Sequence, residues 1–211
     1  MVNAWFEHDI SFDLAYIKNI MFIQTEDTPN PNTMKFLPGQ PVKSGRPAEF
    51  TNLDEAQASP LAAALFQMQG VSGVFFGLDF ISVTKNDDAD WTLLKTPILA
   101  AVMDHYTTGQ PLFHPGREPK ETDAGSAKAK ASSLDDEISN QILELIDSRV
   151  RPAVAQDGGD IEFHDYDDGI VYLRLRGACA GCPSSTVTLK SGIENMLKHF
   201  IPEIQEVRAL D

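Results

Sequence analysis

The spacing of apolar residues predicts two groups of helices and strands. In the first group, Phe22–Glu26, Met34–Leu37 and the hairpin Val74–Thr84 have the short apolar runs of strands. Helices are predicted to begin at the Ser-Pro pair 59–60 and the Thr-Pro pair 96–97, because serine or threonine followed by proline is typical of a first helical turn. The predicted order of elements in this group is ββαββα.

The second group is predicted to combine helices and strands in another order. Apolar residues at helical spacing predict a helix that begins at Ser133 and ends at Pro152, and a second helix that begins at Pro183. Alternating apolar residues and an Asp-Gly turn predict three strands, at 161–163, 170–176 and 204–209. The predicted order is αββαβ, so the fold class is α+β, with two small α+β domains.

A polar segment separates the two groups. His114–Ser133 is rich in proline, glycine, serine, alanine and charged residues, and it contains no apolar side chain larger than alanine. Such a segment cannot bury enough surface to offset the entropy lost on ordering, so it is predicted to be a flexible linker. The predicted domains are therefore 21–113 and 134–211, and residues 1–20 are predicted to be a disordered N-terminal extension.

Composition narrows the choice of partners and compartment. The chain carries 17 Lys and Arg against 31 Asp and Glu, a net charge of −14, and has no basic stripe, so no binding to nucleic acid is expected. No apolar run reaches the roughly 18 residues of a membrane span, so no membrane insertion is expected. The first twenty residues are acidic and resemble neither a secretory signal nor a transit peptide. Together with only two cysteines, these features predict a cytoplasmic protein of bacterial type, with a processed organellar form as the alternative.

Both cysteines, Cys179 and Cys182, lie in the motif RGACAGCPSST at 176–186. The motif falls between a predicted strand and the helix that begins at Pro183, and free amides at a helix start favour the thiolate form of Cys182. Two intervening residues let both sulfurs face one centre. The small neighbouring residues leave room for another chain to approach.

Four interpretations of the pair are open from the residues alone. It is a pair without a role (or a local disulfide), a thioredoxin-like redox pair, part of a structural zinc site, or part of an iron–sulfur cluster site. The redox interpretation is weakened because the preceding strands form a hairpin instead of a parallel βαβ unit, and because the pair has no large aromatic neighbour.

The zinc and cluster interpretations need about four ligands, and the chain supplies two thiolates. His164 and His199 are the only downstream histidines, and both are predicted to be surface residues. The missing ligands are therefore expected from a second copy of the chain, related by a two-fold axis. An intermolecular metal or cluster site is the preferred interpretation.

The segments around the motif resemble a known family. The second half of the chain contains VRPAVAQDGGDIEF (150–163) and RLRGACAGCPSSTVTLKSGIE (174–194). These segments closely resemble the NifU-like C-terminal domain of the Nfu iron–sulfur proteins. The first half contains TEDTPNPNTMKFLPG (25–39) and GVFFGLDFISVTK (73–85), which resemble the Nfu N-terminal domain.

The resemblance implies an iron–sulfur scaffold or carrier that is not an enzyme. It implies that Cys179 and Cys182 of two protomers hold one [4Fe-4S] cluster between them, in a homodimer that forms on cluster binding. The cluster is expected to come from upstream assembly machinery and to pass to apo iron–sulfur proteins. The alternative is a thioredoxin-like dithiol oxidoreductase that uses the same two cysteines.

Two features near the cysteines have ordinary interpretations. Gly158 and Gly159 are predicted to make a tight turn into a strand. Tyr172, Arg174 and Arg176 are predicted to share the outward face of the strand that leads to the cysteines. The arginines there are expected to lie in solvent, or to face acidic groups of a partner or the charge of a cluster.

Overall fold

The structure, a computed structural model, describes residues 22–119, 133–180 and 183–210, without the side chains of 133–136 and 183–186. The predicted extension at 1–20, most of the predicted linker and Cys182 lie outside the described residues. Of the predicted linker, residues 114–119 are described, and their backbone and side chains contact the N-terminal domain. The His114 N–H donates to the carbonyl oxygen of Ala58 (2.9 Å), and Glu118 forms an ion pair with Lys43 (2.8 Å). The domain boundaries themselves remain predictions.

The N-terminal domain is a five-stranded sheet with helices on one face. The strands lie in the order β1-β2-β5-β4-β3, and every neighbouring pair is antiparallel. The elements are β1 (Gln24–Asp27), β2 (Thr33–Leu37), β3 (Ala48–Phe50), α1 (Leu53–Ala56), α2 (Pro60–Phe66), β4 (Val71–Phe76), β5 (Ile81–Lys85) and α3 (Trp91–Thr107).

The centre of this sheet is buried on both faces, on one by the helices of the same domain and on the other by the C-terminal domain. Phe76 and Ile81 belong to the core between the sheet and its helices and have no exposed surface. Successive side chains of a strand point to opposite faces, so Phe75 and Ser82 point away from this core. They are nevertheless only 2% and 1% exposed, because the C-terminal domain covers the second face.

Most of the predicted N-terminal elements are confirmed. Both predicted strands and the hairpin are present, and Ser59 caps α2 by accepting a hydrogen bond from the Ala62 N–H (3.2 Å). The predicted helix start at the Thr-Pro pair 96–97 is wrong, because α3 begins at Trp91 and is capped by Asp90. Pro97 lies inside α3 on its exposed side, where the missing N–H costs one helical hydrogen bond, and the buried Leu94 and Ile98 hold the helix against the core.

The C-terminal domain is a three-stranded sheet with helices on one face. Strand β6 is antiparallel to β7, whereas β8 is parallel to β7. The elements are α4 (Ser133–Leu145), a π-helical turn (Ile146–Val150), α5 (Arg151–Gln156), β6 (Gly159–Asp167), β7 (Ile170–Gly177), α6 (Pro183–Phe200) and β8 (Glu206–Leu210). The chain from β7 through α6 to β8 is therefore a parallel β-α-β crossover.

The first C-terminal helix does not end where the sequence predicted. The predicted end at Pro152 is wrong, because the π-helical turn leads directly into α5, and Pro152 lies in the first turn of α5. Proline is tolerated there because the wider turn already interrupts the regular hydrogen-bond ladder. The predicted Asp-Gly turn is confirmed, since Asp168 (φ 43°) and Gly169 (φ 82°) both have the positive φ of a tight hairpin.

The fold class is confirmed, with two α+β domains that follow the predicted orders ββαββα and αββαβ. The short elements β3 and α1, the π-helical turn and α5 are additions to those orders. Within the described residues, no helix combines the length and the apolar character needed to cross a membrane.

Candidate functional site

Cys179 lies in the turn that follows β7. Gly177 has a left-handed backbone conformation (φ 61°), and its carbonyl oxygen accepts a hydrogen bond from the Ala180 N–H (3.1 Å). The Ala178 N–H donates to the carbonyl oxygen of Gly158 (3.1 Å), which ties the turn to the start of β6. Within this turn Cys179 is only 4% exposed and belongs to the core of its own domain.

The two adjacent glycines make room for this arrangement. A Cβ placed on Gly159 would lie 2.8 Å from the Sγ of Cys179 and 2.6 Å from the carbonyl oxygen of Arg176. Gly158 has a φ of 82°, which other residues rarely adopt. The predicted tight turn is therefore present, and it also provides the space into which the thiol points.

Cys182, the second predicted ligand, lies outside the described residues. The helix α6 begins at Pro183, as predicted, so Cys182 immediately precedes the first helical residue. That the two thiols face one centre stays a prediction.

The N-terminal domain contacts the main chain of the cysteine turn. The side-chain amide of Asn30 donates to the carbonyl oxygens of Ala178 (3.2 Å) and Ala180 (3.4 Å), one on each side of Cys179. These atoms belong to residues about 150 positions apart in the sequence. The turn with the predicted ligand is therefore held by a domain that contains no cysteine.

Two further polar side chains of the N-terminal domain bind the same part of the backbone. The hydroxyl of Ser82 donates to the carbonyl oxygen of Gly158 (2.6 Å). A carboxylate oxygen of Glu49 accepts a hydrogen bond from the Gly177 N–H (2.8 Å). We define Asn30, Ser82 and Glu49 as the turn-binding residues.

Aromatic and cationic side chains fill the rest of this contact. Phe75 and Phe80 stack with their ring centroids 5.9 Å apart, and Phe75 lies against Gly177. The ammonium group of Lys35 lies 4.9 Å from the centroid of the Phe80 ring and donates to the carbonyl oxygen of Gln156 (3.2 Å). The contact thus combines apolar burial with hydrogen bonds across the two domains.

Arg176 meets acidic groups of its own chain, which the sequence interpretations (solvent, a partner or a cluster) did not include. Its guanidinium donates to Glu162 (3.0 Å) and lies 3.5 Å from the carboxylate of Glu49. Burial raises the pKa of Glu49, and the Gly177 N–H and the Arg176 charge oppose that shift only in part.

A second buried carboxylate lies beside the glycine pair. Burial raises the pKa of Asp160, although Arg151 opposes the shift and its Nε lies 2.9 Å from the Asp160 carboxylate. Asp160 is thus partnered by an arginine of its own domain.

The described part of the chain does not complete a metal site by itself. His164 and His199 are exposed, as predicted. Across residues 22–119, 133–180 and 183–210, no three or more His, Cys, Asp and Glu side chains cluster in a way that could hold a metal ion.

One argument from the sequence against a redox pair is wrong. The motif was predicted to lack a parallel βαβ context, but β7 and β8 are parallel and the motif begins the crossover between them. The predicted order αββαβ ends in a strand, a helix and a strand, and a helical connection of this kind usually joins parallel strands, so this signal was present in the sequence.

The turn-binding residues were missed by the sequence analysis. Asn30 belongs to the turn-rich segment TPNPN, which contains two prolines and two asparagines but gives no indication of its partner. Ser82 is a small polar residue between Ile81 and Val83, and this alternation was the one available signal that the second sheet face differs from the core face.

Comparisons with known proteins assign both halves of the chain. The family model described as "Scaffold protein Nfu/NifU N terminal" matches residues 23–109, and the model described as "NifU-like domain" matches residues 142–208. The second match includes both cysteines.

Individual relatives are similar over most of the chain. "NifU-like protein 4, mitochondrial" of Arabidopsis thaliana is 52% identical over 193 residues, which cover 90% of this chain and 66% of the relative. "NFU1 iron-sulfur cluster scaffold homolog, mitochondrial" of Homo sapiens is 50% identical over 188 residues, which cover 89% of this chain and 71% of the relative. The chain thus spans about two thirds of the length of these relatives.

These relatives correct the predicted compartment. Both are named as mitochondrial proteins, so the prediction of a cytoplasmic protein of bacterial type is wrong. A low cysteine count indicates only that the chain does not depend on several disulfides, and it does not distinguish the cytoplasm from an organelle.

Proposed function

The chain belongs to the Nfu/NifU scaffold family, and we propose that it is an iron–sulfur cluster scaffold and carrier without enzymatic activity of its own. The names of its relatives support a scaffold role. The observation that carries the proposal is the position of Cys179 in a turn of small residues between β7 and α6. The second cysteine, Cys182, immediately precedes the first residue of α6 in the sequence. Thiolates near free helix amides are suitable ligands for iron.

We propose that the cargo is a [4Fe-4S] cluster held between two copies of the chain by Cys179 and Cys182 of each. A cluster of this type takes about four thiolates, and one chain has two. The lack of any other metal-binding cluster in the described residues is consistent with ligands from a second copy. A homodimer that forms around its cargo can also release it, because separation of the copies leaves each with half of the ligands.

The proposed setting is an organelle, as for the mitochondrial relatives. Upstream assembly machinery would load the cluster, and apo iron–sulfur proteins would receive it. Transfer would proceed by ligand exchange, in which recipient thiolates replace those of the carrier one at a time.

Anaerobic reconstitution with iron and sulfide tests this proposal. The full chain is expected to bind about two iron and two sulfide ions per chain, to give the Mössbauer spectrum of a [4Fe-4S] cluster, and to have the mass of two chains in solution. Cys179→Ser and Cys182→Ser are each expected to abolish cluster binding, whereas the control His164→Ala, at an exposed site, retains it. A loaded monomer, or full iron content in either cysteine variant, contradicts the proposal.

A dithiol oxidoreductase is the second candidate, because the motif begins a parallel β-α-β crossover. The same preparation distinguishes the two functions. An oxidoreductase would remain colourless after reconstitution and would reduce the disulfides of a test protein such as insulin at a rate that depends on both cysteines. A zinc protein would also be colourless, and metal analysis would find zinc.

A further inference from the structure

The turn-binding residues come from three separate places in the N-terminal domain. Asn30 lies in the loop between β1 and β2, Glu49 lies in β3, and Ser82 lies in β5. All three bind main-chain atoms of the cysteine turn and of the glycine pair beside it, and Glu49 in addition pairs with the Arg176 side chain. The main-chain contacts hold the path of the backbone and do not depend on the side chains of the turn.

Contacts within its own loop fix the orientation of the Asn30 side chain. It is 6% exposed, its side-chain oxygen accepts a hydrogen bond from the Asn32 N–H (3.0 Å), and its own N–H donates to the hydroxyl of Thr28 (3.2 Å). The oxygen of the amide is thus used within the loop, which directs the NH₂ group toward Ala178 and Ala180. The NH₂ group of Asn30 therefore donates to the carbonyl oxygens of both Ala178 and Ala180, which flank Cys179.

The other two contacts hold the backbone segments beside the turn, at Gly158 and at Gly177. Ser82 binds the carbonyl oxygen of Gly158, which also accepts from the Ala178 N–H. Glu49 binds the N–H of Gly177, at the point where β7 ends. Movement of Cys179 away from its present position requires these hydrogen bonds to break, and the free energy that is lost is their net contribution after water has replaced the protein partners.

The direction of the Cys179 side chain shows what this arrangement favours. The sulfur lies against Gly159 inside its own domain, and only 4% of the residue is exposed. A thiolate that binds a cluster shared with a second chain has to reach the surface. The arrangement in this structure is therefore the one in which Cys179 is withdrawn.

We propose that Asn30, Ser82 and Glu49 are positioning residues that hold the cysteine turn with the Cys179 thiol buried, and that cluster loading requires the N-terminal domain to leave the turn. This inference rests on the proposed function for its biological meaning, but the positioning itself is a property of the metal-free chain. The N-terminal domain then sets how readily the thiol becomes available to iron or to a recipient protein.

The rate of thiol alkylation in the metal-free chain tests the proposal. A Cys182→Ser background leaves Cys179 as the single thiol, and its reaction with iodoacetamide reports the fraction of time that it is exposed. Asn30→Asp keeps the oxygen that accepts from Asn32 but cannot donate to the turn. We expect it to raise the alkylation rate about tenfold, because one buried hydrogen bond corresponds to roughly that factor in a local opening equilibrium.

Asn32→Asp is the matched control. Asn32 lies in the same loop, but its side chain interacts with Asp87 and Lys85 and not with the cysteine turn, so the alkylation rate is expected to stay unchanged. Ser82→Ala, which removes the contact to Gly158, is expected to raise the rate, whereas Ser72→Ala, which removes a bond to Thr84 within the domain, is not. This second pair keeps the test valid if Asn30→Asp does not fold.

Two results overturn the proposal. One is an alkylation rate that stays the same or falls in both Asn30→Asp and Ser82→Ala while their thermal unfolding remains cooperative. The other is an equal increase in the variants and their controls, which would indicate general loosening. Since no cluster is present, a failure of the proposed function leaves this measurement intact, and a failure of the positioning leaves cluster binding by the two cysteines untouched.

Discussion

At their centres, the two faces of the N-terminal sheet are buried to a similar degree by different means. Phe76 on the core face has no exposed surface, and its neighbour Phe75 on the opposite face is 2% exposed. The core face meets the helices of its own domain mainly through apolar side chains, although α3 also buries His105. The opposite face meets the cysteine turn through two aromatic rings together with the turn-binding residues and Lys35.

This difference indicates that burial alone does not identify a core. A core face is fixed because apolar area removed from water is lost when the face separates. A face that combines aromatic rings with hydrogen bonds to a backbone can separate at a smaller cost, because water replaces the polar partners. The second face therefore has the composition of an interface that opens, whereas the first has the composition of one that does not.

Alanine substitution of the adjacent pair Phe76 and Phe75 tests the comparison most strongly. Phe76→Ala is expected to lower the free energy of unfolding of the N-terminal domain by about 3–5 kcal/mol, because it leaves a cavity in a packed core. Phe75→Ala is expected to lower it by about 2 kcal/mol or less, and to increase hydrogen exchange in the cysteine turn, because it weakens only the contact between the domains. Denaturant unfolding followed by circular dichroism, together with hydrogen exchange, measures both. Equal losses from the two variants would mean that the faces act as one core.

Gly159→Ala is expected to have the next largest effect, and it addresses the cysteine side of the interface. The new Cβ would lie 2.6 Å from the carbonyl oxygen of Arg176 and 2.8 Å from the Sγ of Cys179. The sulfur can rotate away, but the carbonyl belongs to a strand, so we expect a loss of about 1–3 kcal/mol in the free energy of unfolding and a more exposed thiol.

Gly192→Ala is the matched control for this substitution. Gly192 lies within α6, and a Cβ there would meet no atom within 4 Å. Because alanine is the better helix former, the control is expected to stabilise the domain by up to about 1 kcal/mol. Thermal unfolding distinguishes the two outcomes by sign, and a stabilising Gly159→Ala would mean that the thiol does not need the space beside this glycine.

The sequence predicted those parts of the fold that depend on local pattern. The hairpin around β4 and β5, the cap at Ser59 and the turn at 168–169 follow from residues within a few positions of one another. The position of Cys179 between a strand and a helix is predicted in the same way. Each of these features is decided by backbone preferences or by apolar periodicity.

The contact between the domains could not be predicted in this way. Asn30 and Ala178 are separated by 148 positions, and Glu49 and Gly177 by 128. The partner atoms are backbone carbonyl and N–H groups, which every residue possesses, so no residue type in the turn identifies them. The strand with Glu49 has three residues, too few for a period-two pattern to be recognised.

The pH dependence of Glu49 gives the smallest expected effect and the finest test of the interface. Its pKa is raised above the ordinary 4.5 by burial, against the opposing Gly177 N–H and Arg176. A carboxyl group with a raised pKa contributes stability that is complete below pH 4.5 and is lost as the pH rises through the raised value. The charged form of Glu49 is thus disfavoured in the contact, although it accepts a hydrogen bond there.

Glu49→Gln therefore should not weaken the contact at neutral pH as an ion-pair argument would suggest. Glutamine keeps an oxygen for the Gly177 N–H and carries no charge, so we expect the free energy of unfolding at pH 7 to change by less than about 1 kcal/mol. As the pH falls toward 4.5, we expect the free energy of unfolding of the wild type to rise relative to that of the variant, because Glu49 then becomes protonated and neutral. Denaturant unfolding of both proteins between pH 4.5 and 8 measures this difference, and Asp160, whose pKa is also raised, is present in both and largely cancels. A large loss at pH 7 that vanishes in acid would show that the ionised pair with Arg176 holds the interface, and the second face would then be an ionic contact instead of a hydrogen-bonded one.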